Sequence, residues 1–86
     1  MTWFLVERRL PGMTLASLSA LQRALREATH RLSPPSAPMR YLGSIYLPGR
    51  GKCLCLFEAD HVELVRAAND TAQAPFSSIH EAVALF

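Results

Sequence analysis

Glu7, Cys55 and His80 are the side chains in this sequence best suited to acid–base or metal chemistry. A carboxylate whose pKa is raised by burial and an imidazole that titrates near neutrality can together move protons to and from a substrate. A thiolate and an imidazole are also ligands that zinc or nickel accepts. These residues lie far apart in the sequence, so the chemistry depends on the elements that bring them together.

The first half of the chain predicts one strand and one helix. Aromatic and β-branched residues from Trp3 to Arg8 are typical of a strand, which Pro11-Gly12 ends with a turn. Thr14 is a helix-capping residue, and apolar side chains recur every three or four residues as far as Leu32. The proline-rich segment from Ser33 to Pro38 cannot continue that helix.

The second half predicts a β-hairpin, a helix and a last strand. Met39 to Leu47 and Lys52 to Glu58 are strand-like, and the glycines of Pro48 to Gly51 suit the turn between them. A helix from about His61 to Ala72 and a strand from Ile79 to Phe86 follow.

The resulting order, βαββαβ, predicts an α+β fold of the ferredoxin-like type. This is a four-stranded antiparallel sheet with two helices on one face and with the first and third strands in its centre. A chain of 86 residues has the size of one domain, so we interpret residues 1–86 as a single ferredoxin-like domain.

The predicted strands are apolar on both sides. In the third strand, Leu54 and Leu56 point one way, and Cys53, Cys55 and Phe57 point the other. A sheet face in contact with water would have polar residues at alternate positions. Burial of apolar surface is worth about 25 cal/mol per Å², so we expect a second copy to cover the open face. The product would be a homodimeric α+β barrel with one cavity per subunit.

Strand alternation also predicts which side chains line that cavity. If Leu54 and Leu56 face the helices, the opposite positions of the third strand face the cavity. The same rule applied to the first and last strands places further residues in the cavity. In the second strand it places only one of Tyr41 and Tyr46 there, because odd and even positions point to opposite faces. Besides one tyrosine, the predicted cavity residues are Trp3, Leu5, Glu7, Cys55, Phe57 and His80.

Three hypotheses about function follow. In the leading one, the cavity binds a small apolar organic molecule, as a binding protein or as a cofactor-independent enzyme. Glu7 and His80 are then the acid–base pair, Tyr46 or Tyr41 orients the ligand, and the remaining ligand contacts come from Trp3, Tyr41, Cys55 and Phe57. In the alternative, Cys55 and His80 bind nickel or zinc. In the third, the sheet face serves only dimerisation or partner binding, and Cys55 is a small buried hydrophobe.

The Cys53-Leu54-Cys55 spacing predicts packing rather than a disulfide. On a regular strand both thiols project to one side, with Cα atoms about 6.5–7 Å apart. That distance is at the far end of disulfide reach and would strain the bond. We therefore expect both thiols to be reduced.

Charge and hydropathy argue against two classes of partner. The nine basic residues are scattered and the net charge is +2, which does not favour nucleic-acid binding. No apolar stretch approaches the ~20 residues of a membrane span. The N-terminal apolar run meets Glu7 too early for a signal-peptide core, so we expect a cytoplasmic protein.

The whole chain, from Phe4 to Leu85, resembles a family of small α+β proteins of largely undefined function that includes nickel-responsive, nickel-binding members. The matching features are Glu7-Arg8 at the end of strand one, Ser44 before an apolar residue and Tyr46, and Cys55 before Leu-Phe-Glu58-Ala59. The resemblance implies a ferredoxin-like dimer. The wider class of dimeric α+β barrels includes oxygenases, isomerases and cyclases that need no cofactor.

This chain also departs from the family pattern. Tyr41 replaces a tryptophan, Pro48 to Gly51 replaces an acidic turn, and Cys53 is an additional thiol.

Overall fold

The computed structural model describes all 86 residues. The elements are β1 (Thr2–Arg9), α1 (Leu15–Leu32), β2 (Arg40–Leu47), β3 (Lys52–Ala59), α2 (Val62–Thr71) and β4 (Ser78–Ala82). The strands form one antiparallel four-stranded sheet in the order β2-β3-β1-β4. The predicted ferredoxin-like fold, with β1 and β3 in the centre, is confirmed. Neither helix has the length and apolar character required to cross a membrane.

The ends of the elements follow local chemistry, with two exceptions. Thr14 Oγ1 accepts a hydrogen bond from the Ser17 amide at 3.1 Å, which is the predicted cap of α1. The spacing of Asp60 and Glu63 predicts a capping box for α2, but the capping residue is His61 and its side chain makes no cap bond.

The last strand is shorter than predicted and ends at Ala82 rather than at Phe86. Ala82 pairs with Trp3, and β1 begins at Thr2. The chain beyond Ala82 therefore has almost no neighbouring strand left with which to form a ladder.

The core lies between the two helices and one face of the sheet. Alternate residues of β1 and β3 point into it, and each helix contributes the buried part of its apolar face. The buried apolar cluster consists of Phe4, Val6, Leu25, Met39, Cys53, Cys55, Phe57, Ala59, Val65, Ala68 and Ala74.

The predicted orientation of β3 is wrong. Cys55 pairs directly with Val6, and directly opposed residues of an antiparallel pair point to the same face. Cys55 and Phe57 therefore face the helices and are buried, whereas Leu54 and Leu56 lie on the open face. Alternation alone could not choose between these two orientations, because both sides of the strand are apolar.

A bulge in β2 makes the predicted orientation of its two tyrosines wrong as well. Tyr41 pairs with Phe57 and Tyr46 pairs with Cys53, and the register shifts between Tyr41 and Gly43. Because the bulge adds one residue to β2, an odd position before it and an even position after it point to the same face. Both tyrosines consequently lie on the helix face, although the sequence predicts that they point apart.

Candidate functional site

Glu7 and His80 lie on the same open face of the sheet, as predicted. His80 is on the edge strand β4 opposite Leu5, so it is a diagonal neighbour of Glu7 at a typical separation of about 7–8 Å. His80 Nε2 lies 3.0 Å from Ser78 Oγ, and Glu7 Oε2 lies 4.0 Å from Lys52 Nζ. The two groups have separate polar neighbours and do not hydrogen-bond to each other.

Beside this pair, the open face forms an apolar concavity of about 470 Å³. Gly43 contributes no side chain, and Ile45 is 64% exposed. The remaining lining residues are Leu5, Leu42, Leu54, Leu56 and Ser44, whose hydroxyl points to the helix face. Neither helix covers this surface, since both pack on the opposite face.

Trp3 lies at one end of the open face, also as predicted. Its Nε1 group donates a hydrogen bond to Glu58 Oε2 at 3.1 Å, and the other oxygen of Glu58 lies 3.5 Å from Arg40 Nη1. The ring of Phe86 is 6.0 Å from the Trp3 ring. This end of the face is thus an aromatic and charged rim around the apolar concavity.

Four residues predicted to line the cavity lie on the other face: Tyr41, Tyr46, Cys55 and Phe57. Tyr46 Oη donates to the carbonyl of Leu10 at 2.6 Å and accepts from the amide of Met13 at 3.3 Å. The Tyr41 ring packs on Phe57 with their centroids 5.3 Å apart.

None of these four side chains can contact a ligand in the concavity, because the sheet lies between them. For the same reason Cys55 and His80 cannot coordinate one metal ion within a chain. No group of three or more His, Cys, Asp or Glu side chains is placed to hold a metal ion.

The helix face holds a chain of polar groups that ends in two thiols. Tyr41 Oη makes a short hydrogen bond with Ser44 Oγ, which in turn donates to Cys55 Sγ at 3.0 Å. Cys55 Sγ lies 3.8 Å from Cys53 Sγ, and both cysteines are unbridged. Burial, and secondarily the neighbouring Cys55 thiol, raise the pKa of Cys53 from 9.0 to about 11. Burial also raises the pKa of Tyr41.

A buried arginine is the feature of the site that sequence reasoning missed. Arg8 is 1% exposed and pairs with Cys53 across the sheet. Its Nη1 donates to the carbonyl of Ala74 at 2.9 Å and its Nη2 to Asn69 Oδ1, while Nε has no partner. The two ion pairs of the structure do not include Arg8.

Alternation from Phe4 and Val6 does place Arg8 on the helix face. The sequence contains no signal, however, that its guanidinium stays in the core without a carboxylate.

The comparisons with known proteins agree with this architecture. The crystal structure of SCO4226 from Streptomyces coelicolor A3(2) is similar to this chain, with a TM-score of 0.78 over 98% of this chain and 99% of the other. The sequence identity is 19%, so that similarity establishes the fold alone. No curated protein matches the chain. A family model described as nickel responsive protein SCO4226-like matches residues 4–82, and the chain belongs to that family.

Proposed function

We propose that the chain forms a homodimer through its open sheet face, and that the enclosed chamber binds a small apolar organic molecule. The supporting observation is the apolar concavity of about 470 Å³ on a face that no element of the chain covers. Leaving such a face in water forfeits about 25 cal/mol for each Å² that could be buried. A second copy covers it without requiring any other protein.

The charges along β3 favour a second copy as the occupant. On the open face this strand presents Lys52, Leu54, Leu56 and Glu58 in order, which is a basic end, an apolar middle and an acidic end. Within the chain these charges have loosely placed partners, Glu7 at 4.0 Å from Lys52 and Arg40 at 3.5 Å from Glu58. A two-fold axis that runs across the strands reverses this order in the partner. The basic end of one strand then meets the acidic end of the other, and the leucines meet in the middle.

The C-terminal residues add apolar surface to the same assembly. Val83, Leu85 and Phe86 are all largely exposed, and Phe86 packs beside Trp3 at the rim of the open face. A stable interface buries roughly 800 Å² per partner, a small share of the 5490 Å² that one chain exposes. The open face and this tail together suit an interface of that size.

Glu7 and His80 are the groups that would act on a bound molecule. Both lie beside Leu5, which also lines the concavity. In a closed chamber, Glu7 accepts a proton and His80 donates or accepts one, chemistry that requires no cofactor. Tyr46 has no part in this step, because its hydroxyl is bound to Leu10 and Met13 on the other face.

Light scattering of purified protein tests the dimer. Ile45→Asp places a charge in the wall of the apolar concavity on the open face, and we expect it to convert the dimer to monomer. Leu15→Asp is the matched control, since Leu15 is also an exposed apolar residue but lies on α1. A monomeric wild type, or an Ile45→Asp variant that stays dimeric, would overturn the proposal.

The chamber is tested with N-phenyl-1-naphthylamine, an uncharged fluorophore. We expect its fluorescence to rise with wild-type protein and with Leu15→Asp, and to stay low with Ile45→Asp. If the wild type is dimeric but the fluorescence does not rise, the proposed ligand binding is wrong. The open face would then serve only dimerisation or interaction with a partner.

The family description favours divalent metal binding as a second candidate function. The imidazole of His80 is exposed on the open face and is a ligand that nickel or zinc accepts. Within one chain, no three His, Cys, Asp or Glu side chains are close enough together to hold a metal ion. Such a site would therefore need groups from the partner subunit across the dimer interface. Cys55 is not among the ligands, because it lies on the opposite face.

Equilibrium dialysis of untagged protein against nickel chloride, with wild type and His80→Ala, tests this candidate. We expect binding by the wild type and its loss in the variant. Less than about a tenth of an equivalent per wild-type chain would exclude a metal site.

A further inference from the structure

The two thiols are spaced like a pair of ligands. Cys53 Sγ and Cys55 Sγ are 3.8 Å apart on neighbouring inward positions of β3. Two thiolates bound to one ion at about 2.3 Å, with a tetrahedral angle between them, lie about 3.8 Å apart. The wider angle of a two- or three-coordinate ion requires only small rotations of the two side chains. Ligands at right angles on square-planar nickel lie closer together.

A cleft leads from the surface to one of the two cysteines. It has a volume of about 180 Å³ and lies between α1 and the β2–β3 edge of the sheet. Cys53 forms part of its wall, beside Ser44 and Tyr46. An ion can therefore reach Cys53 at the cleft wall, and Cys55 Sγ lies 3.8 Å further in.

The charge of the surroundings selects the kind of ion. Arg8 places a buried positive charge opposite Cys53 and has no carboxylate partner. A monovalent ion bound by two thiolates forms a unit of net charge −1, which offsets that positive charge. A divalent ion would form a neutral unit and leave Arg8 unpaired.

Ligand number leads to the same choice. Zinc requires four ligands, and no third His, Cys, Asp or Glu lies close enough to join the two thiols. A soft monovalent ion can be held by two ligands alone, and thiolate is the ligand type that it prefers.

We propose that Cys53 and Cys55 form a dithiolate site for a thiophilic monovalent metal ion of the cuprous type. On binding, each thiol releases one proton to solvent and each sulfur forms one bond to the ion, with no change of oxidation state. The site is separate from the open face, so it does not depend on the dimer, the chamber or the nickel candidate.

Competition for cuprous ion tests the site. Reduced protein is titrated without oxygen against the coloured cuprous complex of bicinchoninate, and we expect it to withdraw one ion per chain. Cys53→Ser and Cys55→Ser should each lower the affinity at least about 100-fold, because the second ligand acts at high effective concentration. Asp70→Ala, at an exposed position of α2, should bind like the wild type. Failure to withdraw copper, or wild-type affinity in either serine variant, would overturn the proposal.

A measurement on the wild type alone guards against variants that fold poorly. One equivalent of silver nitrate is added, and alkylation of each cysteine by iodoacetamide is followed by mass spectrometry. We expect both thiols to be protected together. Protection of neither or of only one thiol, or equal protection by zinc or nickel chloride, would contradict a monovalent dithiolate site.

Discussion

Arg8 Nη2 donates a hydrogen bond to Asn69 Oδ1 inside the core, and this contact ties the end of β1 to the buried side of α2. Asn69 also anchors its own side chain through Nδ2, which donates to the carbonyl of Val65 at 2.8 Å. The guanidinium therefore depends on neutral acceptors in a place where water cannot replace them.

We expect Asn69→Ala to lower the free energy of unfolding by about 2–4 kcal/mol, because a buried charge loses an acceptor. Urea unfolding followed by circular dichroism measures the loss. Asp70→Ala is the control, since Asp70 is exposed on the same helix and should change stability by less than about 0.5 kcal/mol. Equal effects of the two substitutions would show that the Arg8 contact is dispensable.

We expect the free energy of unfolding to fall at alkaline pH, because the fold raises the pKa of Cys53. Its pKa is 9.0 ordinarily and about 11 in the fold, so the folded chain keeps a proton that the unfolded chain loses. The free energy of unfolding is then nearly undiminished below about pH 9 and falls toward pH 11 and just beyond, by at most about 3 kcal/mol. The raised pKa of Tyr41 acts in the same direction.

Urea unfolding of wild type and Cys53→Ser, at about pH 8 and pH 10.5 with reductant and chelator present, measures this loss. We expect the serine variant to lose less stability between the two pH values. An equal loss in both proteins would assign the effect to other groups.

Tyr46→Phe should affect stability and leave ligand binding unchanged. The variant loses the hydrogen bond from Oη to the carbonyl of Leu10, which is worth about 0.5–1.5 kcal/mol. Because Tyr46 lies on the helix face, the affinity for N-phenyl-1-naphthylamine should not change. A weaker affinity for the fluorophore at unchanged stability would indicate that Tyr46 contacts the ligand in the chamber.

Adjacent residues of β3 should respond differently to truncation. Phe57 is fully buried beneath the helices, so Phe57→Ala should cost about 3–5 kcal/mol at any protein concentration. Leu56 lies on the open face, so the effect of Leu56→Ala should act through dimerisation and alter how the melting temperature depends on protein concentration. A concentration-independent loss of similar size at Leu56 would contradict the proposed interface.

Local chemistry made much of the fold predictable. The leucine periodicity up to Leu32, the prolines after it and the glycines of the β2–β3 turn placed the elements within a few residues. The order βαββαβ then restricted the topology to the one observed. Glu7, His80 and Trp3 lie on the open face, as the sequence predicts, because the assignment of Phe4, Val6 and Ile79 to the helix face holds.

The residue pattern is enough to show that both faces of the sheet are apolar, but which side of β3 is inside became known only from the folded chain. Strand alternation has a period of two and no intrinsic sign, so Cys55 could be assigned only once its pairing with Val6 was known. The bulge between Tyr41 and Gly43 and the burial of Arg8 likewise arise from contacts between segments distant in the chain. Such contacts leave no local pattern, and for that reason the buried cation beside the two thiols became apparent only in the fold.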